Sequence, residues 1–225
     1  MPGQLFIVAT PIGNLGDISE RAKSTLASVD AVLCEDTRVT AKLMSVLGIK
    51  KTLISYHQHS SLKKTDEILQ RLNNGDKLAL VTDAGTPGIS DPGGRLIEAV
   101  NAKLHDRIEM IPIPGPNAAI ATLSISGFPT DKFTFLGFPP HKKKRTEFFT
   151  IVKNSVWTAV FYESTHRIIK TLEQLSEAIG DRPIVVGREL TKLHETIYRG
   201  TAAEVTKQLE STSIKGEFVI VIAPK

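Results

Sequence analysis

Residues 78–94 read LALVTDAGTPGISDPGG, an apolar run that stops at Asp83 and gives way to glycine, proline and serine. Residues 78–81 have the content of a buried strand, and Gly85, Pro87, Gly88, Pro92, Gly93 and Gly94 cannot continue it. A long glycine-rich loop leaving a parallel strand lies at the carboxyl edge of the sheet, where open α/β folds bind ligands. Glycine lets backbone groups approach a small molecule closely, at an entropic cost that a plain turn would avoid. Long connections without secondary structure are uncommon in compact domains, which favours a ligand loop here over a surface turn.

The same grammar recurs along the chain. Residues 5–9 run into TPIGNLGD, 31–34 into Glu35-Asp36-Thr37-Arg38, and 108–113 into Pro114-Gly115-Pro116-Asn117. Asp17 with Glu20 three residues on reads as a capping box opening a helix to about Ser28. Residues 63–72 form an amphipathic pattern that stops at Gly75, a natural left-handed cap. The alternation then restarts, with strands expected at 133–138, 158–162, 183–187 and 218–222 and a helix closing at Gly180. Strands alternating with helices predict an α/β fold of two domains, 1–115 and 116–225, with parallel or mixed sheets covered by helices and a cofactor cleft between them.

Composition narrows the class. The chain has 225 residues, 41% hydrophobic and 23% charged, the balance of a globular protein. A single cysteine, Cys34, allows no internal disulfide and no cysteine-built zinc site, and fits a reducing, cytoplasmic setting. No window has the ~18 apolar residues of a membrane span, and no basic stretch precedes the first apolar run. The net charge of +4 is unevenly spread: residues 141–170 hold seven basic side chains against Glu147 and Glu163. A basic cluster of this kind is an electrostatic footprint for a polyanion, with a plain solvated surface as its alternative. Dinucleotide and nucleotide phosphate loops, the H-E-x-x-H zinc helix and the G-x-S-x-G elbow are absent, and nothing in the pattern requires a metal.

What remains is a polar cluster after strand upon strand. Each has a bland reading: Glu35 to Arg38 and Glu163 to Arg167 could cap helices, and Arg188 with Glu189 or His194 with Glu195 could be surface pairs. Their recurrence at strand ends in both halves favours a shared cleft.

TPIGNLGDIS (10–19), EDTR (35–38), LVTDAGTPGISDPG (80–93), IPGPNAAIATLSISGFP (113–129), FLGFPPHKKKR (135–145), FYESTHRI (161–168) and GRELTKLHETIYRGT (187–201) follow one another in order. Together they resemble the tetrapyrrole-methylase superfamily over essentially the whole chain, in its branch that modifies ribosomal RNA. The resemblance implies a two-domain homodimer that binds S-adenosyl-L-methionine and methylates the ribose 2′-hydroxyl of a cytidine in the decoding region of 16S rRNA. It implies cofactor contacts at Thr10, Asp83, Thr86, Pro87, Ile89, Asn117, Ala118, Phe161, Tyr162, Leu190, Ala223 and Pro224. The first loop, Thr10-Pro11-Ile12-Gly13-Asn14, is less glycine-rich than in relatives that act on tetrapyrroles, which favours the RNA branch.

A ribose hydroxyl is a poor acid, so a positioned base would help remove its proton as the C–O bond forms. Glu163, Asp36 and Glu189, each at a predicted strand end, are the candidates for that base or for positioning the hydroxyl, with Glu163 favoured by its neighbours His166 and Arg167. Arg38, Arg167 and Arg188 suit phosphate recognition, and Lys142, Lys143, Lys144 and Arg145 suit the RNA backbone. With few aromatics to stack bases, recognition is expected to lean on RNA shape within an assembled small subunit. The alternatives are a small-molecule methylase acting on a precorrin-type tetrapyrrole, a protein methylase of the diphthine synthase kind, and a non-catalytic RNA-binding assembly factor that keeps the fold.

Overall fold

The computed structural model describes residues 2–57, 60–91 and 93–225; Pro92 of the glycine-rich stretch lies outside them. The chain divides into two compact units, one up to Asn117 and one from Ala118 to Lys225.

In the first unit, strands β1 (Gly3–Val8), β2 (Ala31–Cys34), β3 (Thr52–Ser55), β4 (Lys77–Leu80) and β5 (Ile108–Ile113) form one sheet in the order β3-β2-β4-β1-β5. Every pairing is parallel. Helices α1 (Glu20–Ser28), α2 (Thr37–Val46), α3 (Leu62–Asn73) and α4 (Gly94–Leu104) make the crossovers. The central strands are apolar on both sides, and their two-residue period sorts the side chains. Leu33, Leu78 and Leu80 pack with Leu69, Leu72, Leu96 and Val100 of α3 and α4. Val32, Cys34, Ala79 and Val81 pack with Ala22, Leu26 and Met44 of α1 and α2. Crossovers toward β3 therefore cover one face and those toward β5 the other, as a common crossover hand requires. β4 is flanked on both sides by strands whose helices leave to the opposite face. That arrangement opens a crevice at its carboxyl end.

The second unit has the sheet order β6-β7-β10-β8-β9, from β6 (Phe133–Phe135), β7 (Thr158–Ser164), β8 (Ile184–Arg188), β9 (Thr196–Gly200) and β10 (Glu217–Ile222). β6 pairs parallel with β7, and the other pairings are antiparallel. One face carries α6 (Arg145–Asn154), α7 (Ile168–Ile179) and α8 (Ala202–Ser211), with Phe148, Phe161, Leu172, Val205 and Ile220 in its core. The other face carries α5 (Ala118–Ser124), seated on Val160, Val185, Val219 and Val221.

Local differences from the sequence expectation have simple causes. The cap of α1 is Ser19, whose hydroxyl accepts from Ala22 N, while Asp17 closes a short 3-10 turn. The strand expected to reach 138 stops at Phe135, because Gly137 turns the chain at φ +62°. β3 and β9 are edge strands with half-exposed residues, so they lack the apolar runs that mark central strands.

Candidate functional site

The carboxyl ends of the first sheet are knit together by short contacts around the glycine loop. Thr10 N donates to Gly85 O at 2.9 Å and Gly85 N to Thr10 O at 3.1 Å, a two-residue bridge between the loops after β1 and β4. The buried Thr10 hydroxyl donates to Thr82 O at 3.0 Å. The Thr86 hydroxyl donates to Pro116 O at 3.2 Å, tying in the segment after β5. Gly115 passes so close to Ala9 that a Cβ on it would lie 2.9 Å from the alanine methyl. Gly85 adopts φ +87°, a conformation open to glycine and strained for other residues. Asp91 holds the far end of the loop, accepting from the Thr82 hydroxyl and, at 3.2 Å, from Gly93 N.

Beside this scaffold is an open pocket of about 580 Å³ lined by Glu35, Asp36, Thr37, Arg38, Ser55, His57 and Asp83. It is acidic, and its carboxylates differ in state. Asp36 caps α2 by accepting from Arg38 N at 2.8 Å, and the same side chain takes Arg38 Nε at 3.0 Å and Nη2 at 2.6 Å. Those hydrogen bonds and the guanidinium charge hold its pKa down at about 2. Asp83 moves the other way, raised by burial and then by the charges of Asp36 and Asp91, against a hydrogen bond from the Asp36 backbone. Glu35 is raised as well, by partial burial of its carboxyl and the neighbouring Asp91 and Asp83. Like charges gathered at one sheet edge resist ionisation, and a cationic ligand would relieve them.

The other residues expected in the first unit fall around the loop. Pro87 is buried, Ile89 is 46% exposed, and Asn117 stands half-buried at the unit's end. Ser55 and His57 were not singled out from sequence, and Glu35 was named only as part of the polar cluster after β2. Ser55 ends β3 and His57 lies two residues past it, on an edge strand that leaves no strong pattern.

In the second unit the expected residues divide sharply. The Tyr162 hydroxyl accepts from Ala119 N at 3.3 Å near the start of α5, and burial raises its pKa. Ala118, Leu190 and Tyr162 pack against the apolar face that α5 covers. Ala223 and Pro224 are half-buried, with Ala223 N donating to Pro183 O at 3.0 Å. Phe161 is different: its ring is fully buried in the opposite face, 5.2 Å from the Phe148 ring, so its side chain is core.

Glu163, favoured above as base, is corrected by its surroundings. Its side chain is 0% exposed and accepts from Ser164 N at 2.8 Å, Arg167 Nε at 2.7 Å, Arg167 Nη2 at 3.0 Å and the Thr171 hydroxyl at 2.6 Å. A carboxylate so enclosed has no face to offer a substrate. Glu189 pairs with Lys192 at 2.9 Å and accepts from Glu217 N at 2.9 Å. Partial burial opposes its charge, but Lys192, the Glu217 amide and Arg188 outweigh it and lower the pKa.

The basic residues divide in the same way. Lys142, Lys143 and Lys144 are exposed. Arg145 instead donates to Gln174, Pro140 O and Thr171, and Arg167 to Glu163 and Pro139 O. Arg188 is buried and donates to Lys215 O and His194 O. Guanidinium donors committed to the chain's own carbonyls are scaffold rather than phosphate grips.

Sequence reasoning also passed over Thr191. This β-branched residue adopts φ +65° two positions after Glu189 at φ +50°, and its buried hydroxyl has no hydrogen-bond partner among the described residues. Strain and an orphaned buried polar atom in one turn are features that collect at binding sites. Neither leaves a composition signal.

Residues 4–206 match the sequence profile of the Tetrapyrrole (Corrin/Porphyrin) Methylases. A relative from Thermotoga maritima named ribosomal RNA small subunit methyltransferase I is 43% identical over 99% of both chains. One of the same name from Escherichia coli O157:H7 is 41% identical, covering 98% of this chain and 77% of its own length. Among solved structures, diphthine synthase superposes with a TM-score of 0.74 at 12% identity, covering 98% of this chain and 90% of that one. Cobalt precorrin-4 methyltransferase gives 0.71 at 19% identity, covering 98% and 94%. At such identities the structural likeness speaks for the fold.

Proposed function

The chain belongs to the tetrapyrrole methylases, and from that premise we propose that it 2′-O-methylates a cytidine ribose in the decoding region of 16S rRNA, with S-adenosyl-L-methionine as methyl donor. The observation that carries this reading is the end-to-end similarity to ribosomal RNA small subunit methyltransferase I. The substrate is the assembled small subunit, met in the cytoplasm by a homodimer.

The residues present suit the donor. Its sulfonium and amino groups are cationic, and the pocket beside the glycine loop gathers Glu35, Asp36 and Asp83. Asp83 and the backbone around Gly85, Thr86 and Pro87 are assigned to hold it, with Thr10 fixing the loop from behind. The bound donor supplies a methyl carbon already activated for displacement.

The protein contributes alignment and proton handling. For the ribose oxygen to accept that methyl group its hydroxyl proton would have to leave, and this is the step that falls to the chain's own residues. Asp36, held near pKa 2 by Arg38, is a weak acceptor. Glu35 lines the same pocket with a raised pKa and is the stronger one, so the proton is assigned to it. Arg38 and residues 142–144 offer exposed charge to the RNA backbone. Mapping 2′-O-methylation across 16S rRNA from cells with and without the protein tests the reading; an unchanged map overturns it.

A further inference from the structure

Glu163 is the one buried carboxylate among the described residues, and the proton transfer assigned above leaves it unused. What it holds is informative. Arg167, which clasps both its oxygens, also sends Nη2 to Pro139 O at 2.7 Å. Thr171, which donates to Glu163 at 2.6 Å, accepts from Arg145 Nη2 at 2.7 Å, and Arg145 Nη1 reaches Pro140 O at 3.1 Å. Two guanidinium groups, one bound to Glu163 directly and one through a threonine hydroxyl, thus grip consecutive carbonyls of a Pro-Pro turn.

That turn has no backbone N–H with which to anchor itself, so its carbonyls are its only polar handles. Immediately beyond it come His141 and the exposed Lys142, Lys143 and Lys144. Lys144 adopts φ +64° and leads into α6, whose first residue is Arg145 itself. The basic tract is therefore pinned at both ends by groups that converge on one carboxylate. The ionised carboxylate accepts hydrogen bonds only, which forces the Thr171 proton toward it and leaves the threonine lone pairs for Arg145.

We infer that Glu163 is a positioning residue for the RNA substrate: through Arg167 and through Thr171 and Arg145 it fixes the Pro139-Pro140 turn that aims Lys142, Lys143 and Lys144 at the phosphate backbone. The inference rests on the reading that this tract contacts rRNA, and its test separates the two.

Thr171→Val removes the relay and keeps the Glu163–Arg167 pair. Arg167→Lys keeps a positive charge but cannot fork to both Glu163 oxygens and Pro139 O, and it probes the same relation through an independent contact. Methylation of small ribosomal subunits is measured across a salt series, with thermal melting to confirm folding and calorimetry for donor affinity. Either variant is expected to raise KM for the subunit about tenfold while kcat stays within about twofold and donor affinity is unchanged. The slope of log KM against log salt becomes shallower by about 2, the share of three lysines at ~0.7 each. On a background of Lys142→Gln, Lys143→Gln and Lys144→Gln the same substitutions add nothing. Additive losses, or a fall in kcat with the salt slope intact, overturn the positioning role while leaving the RNA reading standing. A triple-lysine variant with unchanged KM and slope overturns the RNA-contact reading itself, and the positioning role with it.

Discussion

Thr10 and Gly85 face each other across a pair of backbone hydrogen bonds, 2.9 Å from Thr10 N to Gly85 O and 3.1 Å in return. This bridge fixes the glycine loop to the end of the central strand β1. It requires φ +87° at Gly85, which an L-residue reaches only at a cost of about 1–2 kcal/mol. Space is not the obstacle, since an added Cβ would sit 3.5 Å from Ile12 Cγ2, an ordinary contact. Gly85→Ala is expected to lower Tm by roughly 2–6 °C and to weaken binding of S-adenosyl-L-methionine, read by melting and calorimetry.

Asp83 should show a conflict between binding and stability. Its folded-state pKa is raised, first by burial and then by Asp36 and Asp91, so its ionised form opposes folding. A carboxylate of this kind destabilises at neutral pH, and that penalty fades as pH falls through its folded pKa. Asp83→Asn is expected to leave Tm at neutral pH unchanged or slightly raised, since solvent screens most of the penalty, while weakening the methyl donor about tenfold or more. A Tm that falls, or an unchanged affinity, contradicts the assignment.

Acidification should weaken the donor before the ordinary carboxylate range is reached. Glu35 and Asp83 both titrate above their usual values, so the pocket loses negative charge while exposed carboxylates elsewhere remain ionised. Calorimetric affinity measured downward from neutral pH is expected to decline above roughly pH 4–5, the range of unperturbed carboxyls. With Glu35→Gln the affinity decline shrinks, and kcat falls by about 10²–10⁴ if Glu35 takes the proton.

Arg38 is paired with Asp36 yet its side chain is 87% exposed. Exposed pairs contribute little to folding. Arg38→Ala should leave Tm within about 1 °C and raise KM for the small subunit. Freed of its partner, Asp36 returns toward the usual carboxylate range. A wild-type KM would remove Arg38 from the RNA surface.

Phe161 should behave as core. Its ring is fully buried against Phe148, so Phe161→Ala is expected to destabilise by about 3–5 kcal/mol. Phe161→Leu, a milder change, should leave donor affinity intact in the folded protein.

The legible part of this chain was its punctuation. Central strands such as β2 and β10 declare themselves by apolar runs, and in the parallel first sheet the polar and glycine-rich segments after the strands mark its carboxyl edge. The ligand loop was readable because glycine and proline restrict backbone shape residue by residue. β3 and β9 were hidden because their sequences, TLIS and TIYRG, mix polar with apolar residues and their half-exposed positions need no apolar run. With β3 went Ser55 and His57, which its end brings to the pocket.

Sequence alone determined where strands stop, which segments must turn and how charge is spread along the chain, because those properties are local. It did not determine which charges are free. Lys142 and Arg145 stand three residues apart with the same sign, yet one is exposed and the other grips Pro140, Thr171 and Gln174. Glu163 and Asp83 both follow apolar strand residues, yet one is sealed among four donors and the other lines an open pocket. Burial and hydrogen-bond satisfaction are set by residues distant in the chain and near in space, so only the tertiary structure could separate the scaffold charges from the working ones.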